Sequence, residues 1–395
     1  MEPVTHLLTG ACLSRAGLNR RAAYATLTMV VAAEFPDIDT LWSLRGPIEG
    51  FQHHRGITHT FLGLPFEAAL IVAAVYAWHR WRVRRASKHA PTGFRAKPLT
   101  AAPVRWGVLY GLALVALLSH LLLDYTNNYG LRPFFPFNGR WYAASIVFIF
   151  DPLMFVLLLG ALILPWLFGL VNAEVGAKKQ AFVGRGWAIA ALLGIVGWWG
   201  LREVEHARAV QMAMTQTMVA PAPVSATDPA QLPDVAQPEN AGQSQDPNTA
   251  YVPTFLPARA ALASPDLLSP FRWSAVMDFG PVYRLAEIDT YGGMLTTGET
   301  TYPKPGQSAA VLAAERSKLG RAYMDWSPMP FVEETKADSE LAADLGAAAS
   351  VVTFRDPRFL GGRLRETGRQ PLTGTVELDA AGHVVRQTMD GRVEP

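Results

Sequence analysis

The sequence is poor in cysteine and in charge. Cys12 is the one cysteine, and charged side chains make up 17% of the 395 residues. A single cysteine excludes an intrachain disulfide framework and any zinc site built from several thiolates. The formal net charge of +2 gives no electrostatic basis for binding nucleic acid. The low charged fraction, against about 25% in typical soluble domains, favours a membrane protein.

Long apolar runs are confined to the first half of the chain. Spans of about 20 residues cross a bilayer, and the sequence predicts such spans over residues 61–81, 105–123, 143–171 and 186–201. Two shorter apolar segments, 4–16 and 22–35, precede them. As an antiparallel hairpin they would place His6 and Asp37 at the same end. A cleaved signal peptide is the alternative, but the early positive charge of such peptides is missing.

Basic residues are concentrated in two of the predicted loops, 80–105 and 172–186. The positive-inside rule places these loops in the cytoplasm. The loops 36–60 and 124–142 and everything after residue 201 then lie on the other side. We therefore predict a multi-pass protein of a bacterial inner membrane with a periplasmic C-terminal part.

The second half of the chain has an ordinary polar composition. Residues 212–248 are rich in Ala, Pro, Gln, Asp and Ser without an apolar period, which is typical of a flexible linker. Farther on, the patterns predict two strands around Gly280-Pro281, a helix over 309–324 and a hairpin over 373–389. The predicted fold is an α-helical membrane bundle (1–201), a linker (202–250) and a small soluble α+β domain (251–395).

The polar segment before the first predicted span carries three of the nine histidines. Neutral imidazole is the commonest metal ligand in proteins. His54 and His59 suit a loop that wraps around a metal ion, whereas His53 is a weaker candidate. Arg55 could orient a carboxylate or bind an anionic substrate such as phosphate.

His120 and Asp124 stand at positions i and i+4 near the end of the second predicted span. Side chains at this spacing share one face of a helix, so they could grip one metal ion or one ion each of a close pair. The alternative is a hydrogen-bonded pair inside the bundle. Ionisable residues within membranes are rare, costly and usually functional, which favours ligands.

Three aspartates border apolar segments. Asp37 and Asp39 follow Pro36, and both could reach a cation from one loop, although turn chemistry after proline is the alternative. Asp151 precedes Pro152, which is typical of a helix N-cap. Its apolar surroundings favour a ligand role equally, because a bare carboxylate there needs a cation or donors. Asp39 or Asp151 could be a bridging ligand or a general base.

The histidines and carboxylates together form a donor set of mixed nitrogen and oxygen. Such a set suits Zn²⁺ or an ion of the Mn/Fe type better than Mg²⁺ or Ca²⁺, which prefer all-oxygen shells. The remaining histidines stand apart from these motifs, and we interpret them as structural or surface residues: His79, His89, His206 and His383.

The motifs occur in an order that is more specific than any one of them. In chain order they are Thr5-His6, Pro36-Asp37-Ile38-Asp39, His54-Arg55-Gly56-Ile57-Thr58-His59, His120-Leu121-Leu122-Leu123-Asp124-Tyr125-Thr126, Tyr129-Gly130 and Asp151-Pro152. Over roughly its first 170 residues the chain resembles the family of membrane-bound metal-dependent hydrolases, also called LexA-binding, inner-membrane-associated hydrolases. The resemblance implies a hydrolase. LexA is not an expected partner of this chain, because the predicted orientation puts the site on the non-cytoplasmic face.

The donor set is also distantly similar to the multi-zinc site of zinc-dependent phospholipase C and the S1/P1 nucleases. Those enzymes use an amino-terminal tryptophan as a zinc ligand, and no residue of this sequence matches it.

These observations predict a membrane-bound hydrolase in which one or more divalent metal ions, best matched by Zn²⁺, activate water. A site at the lipid–water boundary suits a phosphodiester or ester in a lipid headgroup, so membrane lipid is the expected partner. The predicted metal ligands are His6, Asp37, His54, His59, His120 and Asp124. The predicted catalytic residues are Asp39, Asp151 and Arg55.

Two other classes of protein remain open at this point. One is a non-catalytic envelope protein in which the metal ties the bundle together and the C-terminal domain binds a partner. The other is a transporter whose buried His and Asp residues relay ions or protons.

Overall fold

The computed structural model describes residues 1–88, 102–174, 184–219, 255–304, 306, 308–336, 350–360 and 371–395. A helical part with several apolar helices is followed by a part rich in antiparallel sheet. The predicted fold class, a helical bundle followed by a small α+β domain, is confirmed.

The helical part occupies the first 214 residues. Its α-helices are α1 (Pro3–Arg15), α2 (Ala25–Glu34), α3 (Pro47–His53), α4 (Leu64–Lys88), α5 (Trp106–Thr126), α6 (Pro152–Glu174) and α7 (Arg185–Met214). Two 3-10 helices, Phe35–Leu44 and Ile57–His59, flank α3 and the turn that follows it.

Three of these helices are long and apolar enough to cross a membrane: Trp106–Thr126, Pro152–Gly169 and Arg185–Met214. A fourth candidate is the pair Pro47–His59 and Leu64–Ser87, which is bent by 86°. Within the described residues, these candidate spans overlap the four that the sequence predicts. They support an association with the membrane.

Helices α1 and α2 pack against each other as the antiparallel hairpin that the sequence predicts. Ser14 near the end of α1 hydrogen-bonds Thr26 near the start of α2 at 2.7 Å. Gly10 allows the close approach, since a Cβ there would lie 2.7 Å from both the Ala33 Cβ and the Met29 carbonyl oxygen. Small residues at such contacts let helix backbones meet.

Two predicted boundaries differ from the structure. The linker was expected to begin at residue 202, but α7 continues as a helix to Met214. The predicted third span was expected to begin at residue 143, but α6 begins at Pro152. The amides of Ala144, Ile146 and Val147 donate instead to the end of α5, and the Asp151 side chain caps α6. Residues 220–250 of the predicted linker lie outside the described residues.

The described residues of the C-terminal domain form two antiparallel sheets and one separate strand pair. The first has the order β3 (Ala260–Pro265), β4 (Arg272–Asp278), β5 (Val282–Asp289) and β6 (Met294–Pro303). The second has the order β11 (Arg392–Val393), β10 (Val384–Met389), β9 (Gly374–Leu378), β8 (Ser350–Arg355) and β7 (Phe331–Lys336). A separate pair joins β1 (Thr217–Val219), just after α7, to β2 (Phe255–Pro257).

The patterns in this domain are largely confirmed. The strands around Gly280-Pro281 are β4 and β5, and the hairpin over 373–389 is β9 and β10. The single helix expected over 309–324 is two helices, α8 (Ala309–Arg316) and α9 (Lys318–Trp326). The break falls at Ser317, whose side chain accepts a hydrogen bond from the Gly320 amide and so caps α9.

The C-terminal domain is docked on the helical part through one apolar core. Ile48 of α3 and Tyr129 after α5 share that core with side chains of α8, α9 and the second sheet. The Trp326 indole donates to the Tyr129 carbonyl at 3.2 Å, and the Arg358 guanidinium donates to the Asn128 carbonyl at 2.8 Å. The domain therefore packs directly on the loops that carry the predicted site.

Candidate metal centre

Four of the predicted ligands come together from three separate segments. Asp37 lies in the 3-10 helix after α2, His59 ends the 3-10 helix before α4, and His120 and Asp124 lie on one face of α5. His59, His120 and Asp124 are fully buried, and 12% of the Asp37 side chain is exposed. One donor atom from each residue lies within 4.8 Å of all the others, so the group could hold a metal ion.

The spacing of these donor atoms fits one small cation. His59 Nε2 lies 3.4 Å from Asp37 Oδ1 and 3.3 Å from Asp124 Oδ2. His120 Nε2 lies 3.7 Å and 3.5 Å from the same two oxygens, and the two Nε2 atoms are 3.0 Å apart. Four ligands held tetrahedrally at about 2.1 Å from a zinc ion would lie roughly 3.4 Å apart.

The outer nitrogens of both imidazoles fix which nitrogen faces the centre. His120 Nδ1 lies 2.7 Å from the Ala33 carbonyl oxygen, which can only accept, so Nδ1 carries the proton. His59 Nδ1 lies 3.2 Å from Asp39 Oδ2, which again requires a proton on Nδ1. In their neutral forms both rings therefore turn the lone pair of Nε2 towards the centre. This is the usual arrangement of metal-bound histidines.

Asp124 provides a further test of the fit. Its Oδ2 is buried and accepts no hydrogen bond from the described residues, although it faces the two imidazoles. Two lone pairs and two carboxylate oxygens crowded together repel one another unless a proton or a cation lies between them. A divalent cation satisfies all four donors, and the residues present therefore fit a metal ion.

The other oxygen of Asp124 belongs to a second set of contacts. Oδ1 lies 2.8 Å from the Arg55 guanidinium and 3.4 Å from His6 Nε2, and it also contacts the amino group of Met1. The His6 ring stacks on the His120 ring with centroids 3.8 Å apart. His6 thus lies beside the four-residue group and supports Asp124 and His120, but it is not part of the group.

Asp39 holds the segment 54–59 in place. Its Oδ2 accepts from the Arg55 amide at 2.7 Å and lies 3.2 Å from both the Thr58 hydroxyl and His59 Nδ1. Its Oδ1 lies 3.3 Å from His54 Nδ1. Burial alone would raise the pKa of Asp39, but the hydrogen bonds from His54 and His59 hold it below its usual range. The structure thus places Asp39 behind His59 and not at the centre.

Arg55 is buried and its guanidinium joins several parts of the site. It donates to the Gly130 carbonyl at 2.6 Å, to Asn127 Oδ1 at 3.2 Å and to Asp124 Oδ1. Its carbon Cζ also lies 4.8 Å from the centre of the Tyr129 ring. Of the two roles that the sequence left open, orienting a carboxylate is the one this geometry shows directly.

His54 lies at the edge of the site, with 28% of its side chain exposed. Its Nδ1 contacts Asp39, and the residue lines the cavity above the centre. The structure does not bring it into the four-residue group, in contrast to its predicted role as a ligand.

Asp151 has no contact with the four-residue group among the described residues. Its Oδ1 accepts from the Met154 amide at 3.0 Å and caps α6, while its Oδ2 accepts from the Trp198 indole at 3.0 Å. The Arg202 guanidinium lies 3.7 Å from the same oxygen. The sequence left open whether Asp151 is a metal ligand or a helix cap, and the structure shows the cap. Donors from α7 satisfy the rest of the buried carboxylate.

Sequence reasoning missed two residues that organise the site. Asn127 Oδ1 accepts from Arg55 and from the amides of Tyr129 and Gly130, and thereby shapes the turn after α5. Thr58 donates to Asp39. The signal for Asn127 was an asparagine directly after a span that ends in His and Asp, since asparagine favours turns of this kind.

The fold and the site together define a membrane-associated helical protein with a buried His/Asp cluster that could bind a metal ion and a C-terminal domain of antiparallel sheets. The model of the YdjM inner membrane protein family matches residues 1–209. Because that is more than half of the chain, the protein belongs to this family.

The comparison with individual proteins gives a weaker match. The protein named "Uncharacterized protein YfhP" from Bacillus subtilis (strain 168) is 25% identical over 170 residues, which is 41% of this chain and 45% of that protein. The match therefore spans less than half of its length. No solved structure matches the chain significantly.

Proposed function

We propose that this protein is a membrane-bound metal-dependent hydrolase that acts on a phosphodiester or ester in a lipid headgroup. The observation that carries the proposal is the four-residue cluster, in which each imidazole nitrogen lies 3.0–3.7 Å from the other nitrogen and from both carboxylate oxygens. The donor set of two histidines and two aspartates favours Zn²⁺ over ions that prefer oxygen alone.

The roles of the residues follow from their contacts. Asp37, His59, His120 and Asp124 would hold the metal ion. A metal ion bound there supplies Lewis-acid chemistry for hydrolysis. Asp39 would orient His59, and Arg55 would hold Asp124 in place.

His54 is the group best placed to accept a proton. Its Nδ1 lies 3.3 Å from Asp39 Oδ1, so a proton on Nδ1 leaves Nε2 as the basic nitrogen. Because His54 also lines the cavity next to the centre, a substrate there would lie within its reach. In this proposal His54 takes the role of general base, for which the sequence offered Asp39 or Asp151.

We further propose that the chain crosses a bacterial inner membrane several times and that the site faces the periplasm. The cluster, the turn after α5 and the docked C-terminal domain lie at the same end of the bundle, as Trp326 and Arg358 show by their contacts. The basic residues Arg80, Arg82, Arg84 and Arg85 lie at the end of α4 that is far from the cluster. The positive-inside rule assigns that end to the cytoplasm.

The test is a hydrolysis assay on detergent-purified protein with phospholipids and a generic phosphodiester as substrates. We expect activity that chelation removes and that Zn²⁺ restores. His59→Ala should abolish the activity, and His53→Ala, which changes an exposed histidine of the same segment, should leave it unchanged. Activity that survives chelation, or an equal loss in both variants, would refute a metal-dependent hydrolase.

A structural metal site in a non-catalytic envelope protein is the second candidate. The full burial of His59, His120 and Asp124 favours it, since structural sites are closed to solvent. The same preparations distinguish the two. A structural site predicts stoichiometric metal, unfolding on chelation and no hydrolysis of any substrate.

A further inference from the structure

A cavity of about 800 Å³ lies between the metal-site loops and the C-terminal domain. On the side of the helical part it is lined by His54, Arg55 and Phe148. On the side of the C-terminal domain it is lined by Phe359, Met389 and Arg392. The domain therefore forms one wall of a cavity that adjoins the candidate centre through Arg55, which contacts Asp124.

This wall is fixed by specific contacts. Lys318 of α9 lies 2.6 Å from Glu49 of α3 and 2.5 Å from Glu394, which follows β11. Glu394 also accepts from the Ile48 amide at 2.8 Å. Since β11 contains Arg392, these bonds hold that arginine at the mouth of the cavity.

A second anchor joins the same wall to the turn after α5. The Asp356 carboxylate binds the Arg358 guanidinium at 2.7 Å, and Arg358 in turn donates to the Asn128 carbonyl. Phe359 follows directly, and its ring packs against Trp326 with centroids 5.8 Å apart. The apolar part of the wall is therefore also anchored to the helical part.

The lining combines cationic and apolar groups. Arg55 lies at the metal side, and Arg392 lies at the domain side. The acid among the lining residues is Asp390, which already accepts from the Thr373 amide at 3.0 Å. The Arg55 Nε–H group is buried and donates to no partner among the described residues. The space thus favours an anion beside an apolar body.

The position of the cavity indicates the source of such a ligand. Phe148, Ile149 and Phe150 line it and come directly before the candidate span that begins at Pro152. The cavity therefore opens at the end of a membrane helix, where lipid headgroups lie. A phospholipid with a net negative charge has both the anionic and the apolar part that the lining requires.

We propose that the C-terminal domain is the substrate-selecting half of the site and that it binds an anionic phospholipid in this cavity. Arg392 contacts the anionic headgroup, and the partly exposed side chains of Phe148 and Phe150 contact the apolar part next to it. The proposal rests on the proposed function for its catalytic meaning, but the binding itself requires no hydrolysis.

Arg392 and Val393 make a matched pair for the test, because both are exposed neighbours on β11 and only Arg392 lines the cavity. The full-length protein is titrated with dihexanoyl phosphatidylglycerol, and the bound lipid is counted by native mass spectrometry. We expect Arg392→Glu to raise the Kd by at least about ten-fold, since a charge-assisted contact is replaced by repulsion. Val393→Glu should leave the Kd within about two-fold of the original.

Two further ligands separate the possible sources of binding. Dihexanoyl phosphatidylcholine tests the charge, and glycerol phosphate tests whether a soluble phosphate ester is sufficient. Both should bind at least about ten-fold more weakly than the anionic lipid. Equal affinity for either of them, or equal effects of Arg392→Glu and Val393→Glu, would overturn the proposal.

Metal content and hydrolysis are measured on the same samples. Lipid binding that depends on Arg392 without any hydrolysis supports the lipid-binding site on the domain and refutes the proposed function. Metal-dependent hydrolysis with lipid binding that is insensitive to Arg392→Glu supports the proposed function and overturns the lipid-binding role of the domain.

Discussion

Two aspartates separated by one residue have different surroundings in this site. Asp37 Oδ1 faces the imidazole nitrogens of the centre, whereas Asp39 binds the outer nitrogen of His59 and the Arg55 amide. The 3-10 helix Phe35–Leu44 separates them, because residues two apart in a helix point in different directions. The sequence showed that both could reach a cation, but it could not show which one does.

Asp39→Asn tests the supporting role of this carboxylate. An amide presents an N–H group as well as a carbonyl, so it cannot satisfy the Arg55 amide, the Thr58 hydroxyl and His59 Nδ1 together. We expect the metal stoichiometry to stay the same while the affinity falls about 10- to 100-fold, the usual effect of losing such a partner. Competition with a fluorescent zinc chelator measures the affinity.

Asp379→Asn is the control for this variant, because Asp379 lies in an exposed turn of the C-terminal domain. It should leave the affinity unchanged. Complete loss of the metal in Asp39→Asn would instead make Asp39 a direct ligand, as the sequence alone allowed.

At the scale of the elements, the hairpin of α1 and α2 links packing to the site. Helix α1 carries His6, and α2 supplies the Ala33 carbonyl that orients His120. Gly10 is in contact with the same residue, Ala33. A shift of α2 therefore moves a group that fixes the direction of a ligand.

Gly10→Ala should disturb both the fold and the site. The added Cβ would lie 2.7 Å from the Met29 carbonyl oxygen and the Ala33 Cβ, and overpacking of this kind costs about 1–3 kcal/mol. We expect a lower thermal unfolding temperature together with weaker metal binding. Gly111→Ala on α5 meets nothing within 4 Å and should be neutral or slightly stabilising. Similar behaviour of the two variants would contradict the close packing of α1 and α2.

The sequence predicted the elements well where one apolar period dominates. The spans within α4, α5 and α7 and the hairpin of β9 and β10 follow from composition and turn signals. It failed at Ser317, where a capping side chain divides one expected helix into α8 and α9. It also failed at Leu201, where the apolar run ends but helix α7 continues. The rest of α7 packs on the first sheet, with Ala209 and Ala213 in the shared core.

At the scale of the whole molecule, the arrangement of the C-terminal domain could not be predicted from the chain. Tyr129 and Trp326 pack together although 197 residues separate them, and no local pattern encodes such a pairing. The convergence of the site residues was also not predictable from the chain. The motifs pointed to the right segments, but only the fold shows that Asp37, His59, His120 and Asp124 converge while Asp151 does not.

Lys318 provides a test of the docked arrangement. Burial alone would lower the pKa of Lys318, but the hydrogen bonds to Glu394 and Glu49 raise it above its usual value of 10.5. Its contribution to docking is therefore fully present below pH 10.5 and is lost only as the pH rises through the raised value. Lys318→Met should increase amide exchange in β11 and α3 by up to about five-fold, since partly exposed ion pairs are worth at most about 1 kcal/mol.

The increase should be the same at pH 7 and pH 9. Lys336→Met, at an exposed position of β7, serves as the control and should leave the exchange unchanged. If the effect of Lys318→Met disappears between pH 7 and pH 9, Lys318 is already neutral at pH 9. That result would contradict its contacts with Glu49 and Glu394.

The central claim is that the four-residue cluster holds one metal ion, and metal analysis of the purified full-length protein tests it most directly. Inductively coupled plasma mass spectrometry should find about one bound divalent ion per four-residue centre, with zinc favoured by the tetrahedral donor set. His120→Ala should remove this ion, whereas His53→Ala should retain it. A wild-type protein without bound metal after purification and zinc titration, or undiminished metal in His120→Ala, would contradict the account.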